Sequence, residues 1–205
     1  MRQRPCSSSA KFTPRFKEQQ VRSAWPTDFP LLGGKGVINM DMKDVAKMAK
    51  AIMLEHGSHY PMVLVEGTQG GFCALLKEFP AEHEAKVLEM ARDGLYFGQH
   101  QGRIGRLEQV FFISEGWMSL AGEGRMPEAR PSEDPNRKEV LLVTALGVEK
   151  LDLELVILEV GRDGEGKVVE LREMGEGMEG ARAESDLLPA FVAGFRAGSR
   201  ARAEC

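Results

Sequence analysis

The chain has 205 residues, 42% of them hydrophobic and 28% charged, with a formal net charge of −4. That length and balance suit one globular core with appendages. The acidic charge argues against a dedicated nucleic-acid binder, whose domain is usually basic, and no apolar run approaches the roughly 18 residues of a membrane-spanning helix.

Cysteine usage narrows the setting. Cys6, Cys73 and Cys205 lie far apart. An odd, widely spaced set is no disulfide framework and has no metal spacing, so the expectation is a soluble, cytoplasmic protein without a cofactor. Cys73 sits in an apolar run and reads as a small buried hydrophobe.

The first residues differ from the rest. Residues 1–24 carry Arg2, Arg4, Lys11, Arg15, Lys17 and Arg22 against Glu18 alone, a net +5, which leaves −9 for the remainder. Such a basic, serine-containing leader has the composition of an organellar transit peptide. It also has that of a disordered basic arm. Met40 and Met42, just before the first periodic segment, allow a third reading, a translation start placed too early. The arm is the expectation for 1–38.

Val45, Met48, Ala49, Ile52 and Met53 recur at helical spacing and predict a helix from about Met42 to His56, capped by Asn39 or Asp41 and stopped at Gly57. Met62-Val63-Leu64-Val65 and Phe72-Cys73-Ala74-Leu75-Leu76 flank the turn 66–71 and read as a hairpin. Pro80 opens a second helix, ended by Gly94, with Val87, Leu88, Ala91 and Leu95 as its inner face. Leu107 to Ser114 and Glu139 to Leu146 read as buried strands. A fifth strand alternates Leu151, Leu153, Leu155 and Ile157 with Asp152 and Glu154, the pattern of a sheet with one wet face. After a turn at 162–166, Lys167 to Leu171 returns as an edge strand.

Residues 174–184 are rich in Gly, Glu and Ala and read as a flexible linker. Leu188, Phe191, Val192 and Phe195 make the inner face of a last helix over about 185–200. The domain proper is 39–173, and no internal repeat is present. The order α-β-β-α-β-β-β-(β)-α predicts an α+β fold. Its antiparallel sheet has about five to six strands, and helices from both ends of the order cover one face. This order is similar to that of profilin-like and roadblock-type domains, and the latter generally pair, which implies a homodimer.

Several motifs invite chemistry. Gly33-Gly34-Lys35-Gly36 lacks the following Ser or Thr of a phosphate loop. His56 and His59 are three apart, but zinc needs further protein ligands, and His83 and His100 are distant in sequence; no metal site is expected. Glu66 and Glu115 both follow buried strands, where a carboxylate pair could do acid–base work. A strand leaving the core for water explains them as well.

The densest polar block separates the third and fourth strands. Pro131 and Pro135 stiffen it. Ser132, Asp134 and Asn136 can fold onto nearby backbone. Arg137 can take a carboxylate or an anionic ligand in two parallel bonds, and Glu115 is the carboxylate expected to pair with it. Trp117 needs a packing place for its ring. Glu115, Trp117, Ser132, Asn136, Arg137 and Glu139 are therefore the candidate ligand or interaction residues.

Residues 111–119 and 130–140 also carry a resemblance. Glu115-Gly116-Trp117-Met118, followed by Pro131-Ser132-Glu133-Asp134-Pro135-Asn136-Arg137-Lys138-Glu139, resembles a Glu-x-Trp-Met … Pro-Ser-x-x-Pro-x-Arg-x-Glu pattern of uncharacterised bacterial and phage proteins. His56-Gly57 with Pro61-Met62 belongs to the same pattern. The resemblance covers about residues 42–146 and implies no reaction. Two functional readings follow. One is a non-enzymatic module that binds a protein partner or a second copy of itself. The alternative is a hydrolase in which Arg137 and Lys138 hold a small anionic substrate and Glu115 or Glu139 is the base.

Overall fold

The computed structural model describes residues 40–76, 78–99, 104–119, 131, 133–174 and 186–203. The expected arm at 1–38, the Gly-Lys-Gly loop, nearly all of the linker and Ser132 lie outside them. Helix α1 spans Met42–His56; β1 spans Met62–Gly67 and β2 Gly70–Leu75; α2 spans His83–Gln99; β3 spans Leu107–Met118, β4 Lys138–Gly147, β5 Asp152–Arg162 and β6 Val168–Glu173; α3 spans Leu187–Ala203. The fold is α+β, as the order of elements predicts. Each end of α1 follows a local signal: the Asp41 carboxylate accepts from Asp44 N–H at 2.8 Å, and Gly57, at φ 73°, donates its N–H to the Met53 carbonyl. The first of these satisfies one of the donors that a helix start leaves orphaned, and the second uses a backbone conformation that costs glycine little.

The six strands form one antiparallel sheet in the order β2-β1-β3-β4-β5-β6. Side chains alternate between its faces, and each face meets helices. Leu64, Phe111, Ile113, Val143 and Leu158 pack with Val45, Met48 and Met53 of α1. Val63, Val65, Val110, Phe112 and Leu146 pack with Met90 of α2 and with Phe191 and Phe195 of α3. The sheet is thus covered on both faces, not on one. β3 and β4 read as continuous apolar runs because both of their faces are buried.

Helix α2 departs most from expectation. It runs through Gly94 to Gln99, and its buried positions are Met90, Asp93, Gly94 and Gly98, while Leu88 is 51% and Leu95 39% exposed. The glycines are not stops. A Cβ on Gly94 would overlap the Phe191 carbonyl oxygen of α3, and one on Gly98 that of Phe195. The relation is mutual: Gly194 lies against the Ala91 carbonyl and Gly198 against that of Leu95. Four glycines at four-residue spacing let the two helices touch backbone to backbone, and that contact turns α2 so that its leucines face outward.

Within that inner stripe Asp93 is 6% exposed, and its Oδ2 has no hydrogen-bond partner among the described residues. Burial, helped by the charge of Glu89, pushes its carboxyl up to about 7 from an ordinary 3.8. The folded state therefore holds the Asp93 proton longer than the unfolded chain does. Its stabilising contribution is full below the unfolded pKa and is lost as pH rises through about 7. The wild-type chain should lose about 2–4 kcal/mol between pH 4 and pH 8 relative to Asp93→Asn, compared by urea denaturation. Identical pH slopes for the two proteins would contradict the buried carboxyl.

Candidate functional site

β3 does not end at Ser114. It continues to Met118, so Glu115 and Trp117 are strand residues on the α1 face, like Phe111 and Ile113. The β3–β4 register sets Trp117 opposite Glu139 and Glu115 opposite Leu141. Four of the six candidate residues therefore share a neighbourhood at one end of the sheet: Glu115, Trp117, Arg137 and Glu139. Asn136 belongs to the adjoining turn, where its N–H donates to the Asp134 carboxylate at 2.8 Å. The Ser119 hydroxyl, foremost, and that N–H hold the Asp134 carboxyl below its usual range, although Ser119 Oγ has no hydrogen-bond partner of ordinary geometry among the described residues.

The centre of the cluster is Arg162, which sequence reasoning missed. Its Nε donates to Glu139 Oε2 at 2.7 Å and one terminal nitrogen to Glu139 Oε1 at 2.5 Å. The other terminal nitrogen donates to the Gly166 carbonyl at 2.9 Å and the Gly57 carbonyl at 3.2 Å. One guanidinium thereby joins the C-cap of α1, the start of β4 and the β5–β6 turn. The fork geometry suits a carboxylate taken in two parallel bonds. A weak signal was available: in a β4–β5 hairpin, Glu139 and Arg162 fall near the same end with opposite charge.

Glu115 is held from another side. Its carboxylate accepts the backbone N–H of His59. Burial raises its pKa; the His59 N–H lowers it, the charge of Glu139 raises it and Arg162 lowers it. The cation beside Glu115 is thus Arg162. Arg137 instead lies over the Trp117 ring, with its guanidinium carbon 4.5 Å from the ring centre, and helps to lower the Asp134 carboxyl. Where an Arg137–Glu115 pairing was expected, Arg162 is the cation that acts on Glu115, while Arg137 makes a stacking contact with the half-exposed tryptophan that suits a planar guanidinium. Lys138 points to the other face and pairs with Glu159 at 2.9 Å.

The remaining candidates do not converge. Glu66, at the far end of β1 beside Gln109 of β3, has its pKa raised by burial, lowered by the Met40 N–H and raised by Glu108; it does not join Glu115. His59 is buried, its Nδ1 is 2.8 Å from the Tyr60 carbonyl, and burial lowers its pKa. If Nδ1 carries the proton, as that contact requires, Nε2 is a buried acceptor with no partner among the described residues. His83 lies 3.8 Å from Asp186 at the exposed start of α2, and His100 is outside the described residues. Among the described residues no group of three or more His, Cys, Asp or Glu side chains could hold a metal ion. No described helix is long and apolar enough to cross a membrane.

Comparisons with protein-family models, with curated proteins and with solved structures find no match to this chain.

Double-mutant cycles separate the two roles of arginine. Arg162→Ala with Glu139→Ala should show coupling of about 1–3 kcal/mol, as expected for a charge-assisted, part-buried double bond. Arg137→Ala with Trp117→Ala should show about 0.5–1 kcal/mol. A larger coupling for Arg137 than for Arg162 would reverse the assignment.

Proposed function

We propose that this domain is a non-enzymatic module that assembles with itself or with another protein, and that self-association is its primary form. The observation that carries the reading is the use to which the polar cluster is put. Arg162 spends its donors on Glu139 and on two backbone carbonyls of separate loops, and Glu115 caps the approach to β1. That is the arrangement of a structural clamp, which fixes the shape of one end of the sheet.

The alternative, hydrolysis of a small anionic substrate, has narrower support. It draws on Glu115, whose pKa is raised beside a second carboxylate that is held by arginine, since paired carboxylates with separated pKa values can serve as acid and base. The cations it would use as anion hooks have other contacts: Lys138 pairs with Glu159 and Arg137 stacks on Trp117. The clamp accounts for the same residues without a substrate.

Sedimentation velocity of the full chain over a wide concentration range tests the reading. The expected outcome is a reversible shift from a 22.6 kDa species toward its dimer. A single monomeric boundary at every concentration would contradict self-association.

A further inference from the structure

The sheet has two edges, and they are finished differently. β6 carries Glu170, Arg172 and Glu173 among its six residues. Met174 N–H donates to the Ile157 carbonyl, so by the two-residue period the even-numbered residues of β6 turn their backbone toward β5 and Leu171 turns its own outward. That outward carbonyl is taken by Lys50 Nζ of α1 at 2.8 Å. Charged side chains and a lysine laid across the edge are devices that keep a strand from recruiting another.

β2 has neither device. Its sequence, Gly70-Gly71-Phe72-Cys73-Ala74-Leu75, has no charge and no proline. Leu76 N–H donates to the Pro61 carbonyl at 2.7 Å, which sets the even-numbered residues of β2 toward β1. Gly71, Cys73 and Leu75 therefore direct their N–H and C=O groups away from the sheet, and among the described residues no strand pairs with them. The Cys73 side chain goes inward with the α1-side core, and burial pushes its thiol up to about 12. What the edge offers is backbone.

Resting on the reading of the domain as a self-associating module, we propose that the β2 edge is the contact surface and that its occupant is β2 of a second copy, paired antiparallel about Cys73. A two-fold axis there sets Cys73 opposite its counterpart and Gly71 opposite Leu75 of the other copy, so that three residue pairs exchange about six hydrogen bonds. A second copy suits this edge because the chain is acidic, at −4. The uncharged strand is where two copies meet without opposing like charges. The two sheets of six strands then join into one. Six residues make a small interface, so the dimer is weak and reversible.

Amide hydrogen exchange of the full-length chain, read by NMR at dilute and concentrated protein alongside sedimentation, tests this. The amides of Gly71, Cys73 and Leu75 should slow by at least about tenfold as the dimer forms, the factor that corresponds to about 1.4 kcal/mol of association. Cys73→Pro removes an outward N–H that β1 does not use. It should hold the chain monomeric, with its circular dichroism retained. A dimer without concentration-dependent slowing at these amides would overturn the edge contact while leaving self-association intact. Protection that is the same at all concentrations would mean that another segment of the same chain covers the edge, and would overturn the proposal. A chain that never associates would overturn both readings.

Discussion

The Arg162 guanidinium holds one end of this fold together. Three chain segments separated in sequence meet there: the close of α1 at Gly57, the start of β4 at Glu139, and the β5–β6 turn at Gly166. Each would otherwise leave polar groups at the rim of a sheet that is buried on both faces. Arginine can serve all three because its donors lie in one plane and point in different directions. With Glu115 bound to the His59 backbone beside it, the α1-side entrance to β1 and the paired ends of β3 and β4 share one polar anchor.

The opposite face depends on a different constraint. Gly94, Gly98, Gly194 and Gly198 let α2 and α3 approach at backbone distance, so that the two helices cover the sheet as one thin layer. Asp93 is carried into that layer by the same rotation that buries Met90 and exposes Leu88 and Leu95. A buried carboxyl there is unfavourable when charged, and its raised pKa expresses that cost. The fold tolerates it because protonation removes the charge at moderate acidity.

Much of this was legible in the sequence where local rules govern. The cap at Asp41, the stop at Gly57, the β1–β2 hairpin, the apolar runs of β3 and β4 and the inner face of α3 each follow from residues within a few positions of one another. The run of α2 past Gly94 was not legible, because a glycine inside a helix and a glycine after one look alike until the partner helix is in place. The candidate site was half legible. Glu115, Trp117, Arg137 and Glu139 do meet, since a β3–β4 pairing forces them together. Arg162 was missed because its partners are distant in sequence and two of them are backbone carbonyls, which no residue pattern announces. The cation beside Glu115 is Arg162 rather than Arg137 for a related reason: Arg162 reaches that end of the sheet from β5, which the spacing within 131–139 does not announce.

The polar cluster acts as a geometric clamp and not merely as a favourable charge. Urea denaturation of wild type, Arg162→Lys and Arg162→Met tests it most directly. Lysine keeps the charge but has no fork, so it cannot take both Glu139 oxygens and two carbonyls at once. Arg162→Lys should lose most of the stability that Arg162→Met loses, about 2 kcal/mol or more. Wild-type stability in Arg162→Lys would contradict it, because a point charge would then do all that the clamp is held to do.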